Sequence, residues 1–322
     1  MYFHKNQCKS GLDMLEFKIL TNFDLKDREL TAGDDHYSLY LTHNEGILQI
    51  YLPHFVRYDN VNPFSLDDSV QLDMCREEIL KKISKLIPKE IQSTKIKKLE
   101  VNLTLPVRDD GTISSVLNLL NRASLSSKIP NVVYMRVSKK NQLKPVYDSV
   151  IGRKKQKYFI LKAYNKTQQM EQEHSYPRPV CEPPQLRIEV VFIDRMLSKM
   201  FGDNLSIENV LSQAAFLCAL RQFKQIFEDE ILRNVRDYGD SVTRLLDERL
   251  DETGSIKEAL LGMDELIVDR AIIFESVRRW CNRSRPQRNV TREMRNAKEI
   301  AEQCNYPKGV FSVLRAFHEA CG

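Results

Sequence analysis

Long apolar runs are missing from this chain. Its longest uninterrupted small and apolar stretch, Ala214 to Leu220, falls far short of the ~20 residues that span a bilayer. The opening residues, Met1-Tyr2-Phe3-His4-Lys5-Asn6, hold no apolar core of signal-peptide length. Paired cysteine is missing too. The seven cysteines (Cys8, Cys75, Cys181, Cys218, Cys281, Cys304 and Cys321) are scattered, with no C-x-x-C pair and no histidine beside them. That pattern argues for reduced thiols and against a zinc site. There is no internal repeat and no low-complexity tract, and from Ser206 onward the strand signal vanishes. These absences predict a soluble, cytoplasmic protein without a membrane partner.

What is present suits a globular chain. The 322 residues are 42% hydrophobic and 29% charged, enough for one large domain or two. The net charge of +5 decides nothing alone, because the clustering of charge matters more.

Short strands are expected over 15–20, 37–42 and 46–52, the last two forming a hairpin. Ser65 reads as the N-cap of a helix whose apolar stripe is Leu72, Cys75, Ile79, Ile83 and Leu86. A strand over 96–105 and a helix over 112–123 follow. Further strands are expected over 132–137, 146–151, 158–166 and 186–192, with a polar loop over about 167–184. A helix from Asp194 stops at Phe201-Gly202, and the remainder reads as helices broken at Gly239, Gly254 and Arg285-Pro286. Irregular alternation of this kind favours an α+β fold: an antiparallel sheet with helices on one face, then an all-α tail. The composition shift near Asp203 divides the chain into 1–203 and 204–322.

Three of these strands alternate in a way that bears on chemistry. In Tyr158 to Lys166, Phe159, Leu161 and Ala163 take one face, and Tyr158, Ile160, Lys162, Tyr164 and Lys166 the other. Glu100, beside Lys98, Asn102 and Thr104, stands opposite Leu99, Val101, Leu103 and Leu105. Arg187 and Glu189 stand opposite Leu186, Ile188, Val190 and Phe192. A phenol has a pKa near 10 and attacks poorly at neutral pH, whereas nearby cations favour the phenolate. Lys162 and Lys166 flank Tyr164 at roughly 6.5–7 Å along the strand. Glu100 and Glu189 brought together would hold Mg²⁺ or Mn²⁺, which prefer oxygen ligands. The same alternation also describes a solvated sheet face with weak surface ion pairs and an ordinary strand tyrosine.

The segment Ala163-Tyr164-Asn165-Lys166 resembles the Ala-Tyr-x-Lys stretch that carries the nicking tyrosine of filamentous-phage gene II-like replication initiation proteins. Arg187-Ile188-Glu189 is similar to that family's Arg-x-Glu strand, and the helix ending at Phe201-Gly202 follows at similar spacing. Leu99 to Leu103 sits where the family has an Arg-Ile-Asp-x-Thr strand. Two departures stand out: Glu100 and Lys98 replace Asp and Arg, and there is no His-hydrophobe-His motif. The resemblance spans about residues 37–202 and implies a phage or plasmid rolling-circle replication initiator in a bacterial host cell. Tyr164 would nick and rejoin one strand at a DNA origin through a 5′-phosphotyrosine, with Lys166 assisting. Glu100 and Glu189 would hold Mg²⁺ or Mn²⁺, and Lys162 and Arg187 would hold the phosphate. The free 3′-OH would pass to the host replication machinery.

Two basic clusters suit DNA. Lys154 and Lys155 precede the Tyr164 strand; Arg283, Arg285, Arg288 and Arg292 introduce the last helices. Val310 to Ala320, with Arg315, would be the reading helix of a helix-turn-helix. A non-catalytic DNA-binding replication or transcription regulator is the alternative from another class, and it would bind DNA without cutting it.

Overall fold

A computed structural model of the chain describes residues 9–21, 30–34, 37–41, 45–55, 64–65, 67–86, 91–123, 131–133, 149–153, 158–173, 183–193, 195–202, 206–263, 266, 268–284, 290–311 and 313–314. Residues 154–157 with the basic Lys154 and Lys155, residues 285–289 and the chain from 315 onward lie outside this set. So do 134–137 and 146–148 of two expected strands.

Nine strands form one antiparallel sheet among the described residues. They are β1 (Lys9–Thr21), β2 (Leu30–Gly33), β3 (Tyr37–Leu41), β4 (Glu45–Tyr51), β5 (Ile91–Pro106), β6 (Asn131–Val133), β7 (Ser149–Arg153), β8 (Phe159–Asn165) and β9 (Gln185–Ile193). Their order across the sheet is β2-β3-β4-β1-β5-β9-β8-β7-β6. The last strand in sequence, β9, is thus inserted between β5 and β8.

The helices of the first half are α1 (Leu72–Leu86), α2 (Asp110–Arg122), α3 (Lys166–Glu173) and α4 (Arg195–Phe201). The tail holds α5 (Ile207–Val210), α6 (Gln213–Ile226), α7 (Arg233–Thr253), α8 (Ile256–Leu261), α9 (Arg270–Ser284) and α10 (Val290–Gln303). A π-helical stretch, Phe227–Leu232, joins α6 to α7. Among the described residues no helix is long and apolar enough to cross a membrane.

Alternation in the strands places the core. Leu99, Val101, Leu103 and Leu105 of β5, Phe159, Leu161 and Ala163 of β8, and Leu186, Ile188, Val190 and Phe192 of β9 are all buried in one cluster. The same cluster takes in Ile113, Val116 and Leu120 of α2, Leu197 of α4, and Phe216 and Phe223 of α6. Helices therefore cover this apolar face, each large side chain contributing roughly 1.5–3 kcal/mol by leaving water. α2 starts cleanly because Asp109 caps it, its Oδ1 accepting from the Thr112 backbone N at 2.7 Å.

The core does not change where the composition does. Phe227, Ile231 and Val235 of the helical tail, with Val310, Val313 and Leu314, belong to the sheet's cluster. A second cluster, from Val242 to Ala301 and including Trp280, packs α7 to α10 together. Asp269 fixes the returning chain by accepting from the Val310 backbone N at 2.7 Å.

Several boundaries differ from expectation for local reasons. Ser65 does not cap α1: its N and Oγ both donate to Asp68 Oδ2 at 2.9 Å, and a 3₁₀ turn over Asp67–Gln71 precedes the helix. Gly239 does not break a helix; α7 runs through it, since a Cβ there would stand 3.0 Å from the Phe311 ring. α7 ends at Gly254, which takes the left-handed φ of 65°. The strand expected to run through Lys166 ends at Asn165, and the loop expected over about 167–184 begins inside α3, which Asn165 caps by accepting from the Gln168 backbone N at 3.0 Å.

Candidate active site

The register of β1, β5, β9 and β8 sets the polar residues in cross-strand rows. Gly11, Asn102, Glu189 and Lys162 stand side by side in one row. Thr104, Arg187 and Tyr164 form the next. On the other side Glu100 stands beside Val191. Neighbours in such a row lie about 4.5–5.5 Å apart at Cα, so their side chains meet.

Opposite Glu100 the pairing of β1 with β5 shifts between Leu12 and Leu15. This β-bulge places Asp13 and Met14 against one residue and aims Asp13 at the site. Gly11 precedes it by necessity: a Cβ there would lie 1.9 Å from the Phe64 carbonyl oxygen. That close approach comes from the backbone bridge in which Leu12 and Phe64 exchange hydrogen bonds of 2.9 and 2.8 Å.

The side chains converge. Carboxylate oxygens of Asp13, Glu100 and Glu189 all lie within 4.8 Å of one another. Lys162 Nζ stands between two of them, 2.8 Å from Glu189 Oε2 and 3.3 Å from Glu100 Oε1. Tyr164 Oη donates to Glu189 Oε1 at 3.1 Å. Arg187 donates through Nε to Thr104 Oγ1 at 2.9 Å and through Nη1 to Asp13 Oδ2 at 3.3 Å, and it is hydrogen-bonded to Tyr164 as well.

Charge is distributed unevenly over these groups. Burial pushes the Glu100 carboxyl up to about 8, repulsion from Glu189 adds to it, and Lys162 opposes it. Burial also raises Asp13, against the pull of Arg187. Glu189 goes the other way. Burial would raise it, but Lys162, Arg187 and Lys166 together hold it below the ordinary carboxylate value. Lys162 is raised because its two carboxylates outweigh its own burial. Glu189 is therefore the settled anion, whereas burial makes both Glu100 and Asp13 reluctant to ionise.

Access is one-sided. Arg187, Lys166 and Asn102 are completely buried and Tyr164 is 5% exposed, whereas the side chains of Lys162 and Glu100 are 29% and 15% exposed. The site is thus closed over Tyr164 and accessible beside Glu100 and Lys162. Lys166, expected on the strand's polar face, is instead the first residue of α3, and its Nζ donates to Gln169 Oε1 at 2.9 Å.

The donor set suits a hard divalent cation. Three carboxylates offer oxygens at a spacing that one ion can gather, and among the described residues both amide atoms of the buried Asn102 have no hydrogen-bond partner. Asp13 and Asn102 escape a reading of the sequence for paired carboxylates. The signal for Asp13 was the run Gly11-Leu12-Asp13-Met14-Leu15, where apolar residues three apart and a glycine inside a strand mark a bulge.

The two basic clusters fall only partly within the described residues. Lys154, Lys155, Arg285, Arg288 and Arg315 lie outside the described residues. Arg283 of α9 pairs with Asp247 and Asp251 of α7 at 3.5 and 3.3 Å, and Arg292 of α10 is exposed. A cavity of about 860 Å³ lies elsewhere, between the start of α2 and the Arg270–Phe274 and Lys308–Val313 segments, and touches none of the convergent groups.

No family model and no curated protein matches the chain. Among solved structures, a rolling circle replication initiator protein from Geobacillus stearothermophilus is similar over 60% of this chain and 77% of its own, at 8% identity and a TM-score of 0.29. A likeness at that level bears on neither chemistry nor substrate.

Proposed function

We propose that this protein cuts and rejoins one strand of DNA with Tyr164 as the nucleophile, assisted by a divalent cation. The observation that carries the reading is the tyrosine hydroxyl bonded to Glu189 within a cluster of three mutually close carboxylates, one lysine and one arginine. The resemblance of residues 163–166 and 187–189 to the gene II-like initiators supports DNA as substrate and replication initiation as the setting.

Asp13, Glu100 and Glu189 would hold Mg²⁺ or Mn²⁺, which supplies positive charge against the phosphate and the departing 3′ oxygen. The chain's own groups do the rest. Arg187 lies against the phenol and stabilises its anion, and Glu189 Oε1 is placed to take its proton. Attack forms the Tyr164 O–P bond and breaks the P–O3′ bond, leaving a 5′-phosphotyrosine and a 3′-OH after protonation of the leaving oxygen. Rejoining is the reverse. Lys162 lies on the accessible side and suits a non-bridging phosphate oxygen once released from Glu100. Rigid strand positions keep these groups aligned for in-line displacement.

The burial of Tyr164 favours a second reading, in which the cluster ties four strands together and the protein binds DNA without cutting it. Incubation with circular single-stranded and supercoiled DNA and Mn²⁺ or Mg²⁺, followed by a search for protein covalently attached to DNA, separates the two. The nicking reading expects an adduct that Tyr164→Phe abolishes while binding persists, and that a chelator suppresses. Salt-dependent binding with no scission under either ion would establish the second reading.

A further inference from the structure

Asn102 is the one side chain of the patch that the fold leaves unsatisfied. It is 0% exposed, and neither Nδ2 nor Oδ1 has a hydrogen-bond partner among the described residues. Each orphaned buried group costs about 1–3 kcal/mol, and a buried amide in this condition calls for an explanation. Replacing the amide by an apolar side chain of the same branching, leucine, would remove that cost.

Its position supplies the explanation. Asn102 shares the strand face of Glu100, two residues away, and stands beside Glu189 on β9. Its other neighbour is Gly11. No side chain can reach Asn102 from there, because the Phe64 carbonyl fills the place of a Cβ. Asn102 therefore shares its strand face with Glu100 and its cross-strand row with Glu189, and no side chain stands on the Gly11 side.

We infer that Asn102 Oδ1 is a fourth oxygen donor to the divalent cation held by Asp13, Glu100 and Glu189. A neutral carbonyl adds a donor without adding a fourth negative charge to a crowded site, and such oxygens suit hard cations. Its Nδ2 then remains a hydrogen-bond donor toward the anion that the cation attracts.

The inference rests on the metal-dependent reading above, and Mn²⁺ binding to the full chain without DNA tests it. Free Mn²⁺ would be titrated by electron paramagnetic resonance for wild type, Asn102→Leu and Asn102→Asp, with metal-free melting as a check on folding. Asn102→Leu should melt no lower than wild type yet bind Mn²⁺ at least tenfold more weakly. Asn102→Asp, which keeps an oxygen donor, should bind as well as wild type or better. If Asn102→Leu binds within twofold of wild type, or both variants weaken alike, Asn102 is not a donor and the three-carboxylate site stands. If wild type itself shows no saturable binding, the metal site falls and this inference with it. Should Asn102→Leu fail to fold, Asn102→Ala carries the same comparison.

Discussion

Glu100 should make the stability of this protein fall as pH rises. Its carboxyl stands at about 8 in the folded chain, against 4.5 for an exposed glutamate. Between those values the folded protein keeps a proton that the unfolded chain has lost. The stabilising contribution is fully present below pH 4.5 and is lost as pH climbs through 8. At 1.36 kcal/mol per pH unit the interval corresponds to about 5 kcal/mol at most, and about 2–3 kcal/mol is a realistic loss once water reaches the partly exposed side chain. Asp13, also raised, acts in the same direction. Glu189 is lowered, so its contribution is lost only as pH falls below the ordinary carboxylate range. Urea unfolding of metal-free protein between about pH 5 and pH 9 should show this decline, and Glu100→Gln should flatten much of it. Mn²⁺ should flatten it as well, by binding the ionised form. Equal slopes for wild type and Glu100→Gln would refute the assignment.

Three other substitutions probe the same patch. Lys162→Met removes the ammonium between Glu100 and Glu189, so the metal-free protein should lose about 3–5 kcal/mol and regain more than wild type when Mn²⁺ is added; equal Mn²⁺ shifts in the two melting curves would count against it. Arg187→Met strips Asp13 of its buried partner and should cost about 3–5 kcal/mol, whereas the double change with Asp13→Leu should cost less. Denaturant unfolding of the full double-mutant cycle reads that coupling, and additive costs would contradict it. Gly11→Ala must displace the Phe64 carbonyl and should cost about 2 kcal/mol or more, visible as a lower melting temperature; an unchanged melt would mean the chain accommodates the methyl.

Much of the architecture could be read from the sequence because alternation is strong where strands are amphipathic. β5, β8 and β9 each separate apolar from polar positions around the site, and the sheet presents Glu100, Lys162, Tyr164, Arg187 and Glu189 on the faces that alternation assigns. Which strand lies beside which is not encoded in any one strand, so the sequence could not say that Lys162 would bridge two carboxylates. Asp13 was hidden because a bulge breaks the two-residue period. Lys166 was misplaced because Asn165 is both the last residue of a strand and the cap of a helix. Gly239 was misread because its reason is Phe311, a residue far along the chain that needs room.

The insertion of β9 between β5 and β8 orders the assembly of the patch during synthesis. A ribosome delivers Asp13, Glu100 and Tyr164 well before Arg187 and Glu189, and 174 residues separate the paired Asp13 and Arg187. Until that late ribbon threads home, the hydroxyl and the earlier acids belong to strands that do not touch. An abortive translation product, or a fragment clipped before residue 185, lacks Arg187 and Glu189 and cannot assemble the cluster. The patch is thus completed in one late step, when β9 takes its place between β5 and β8.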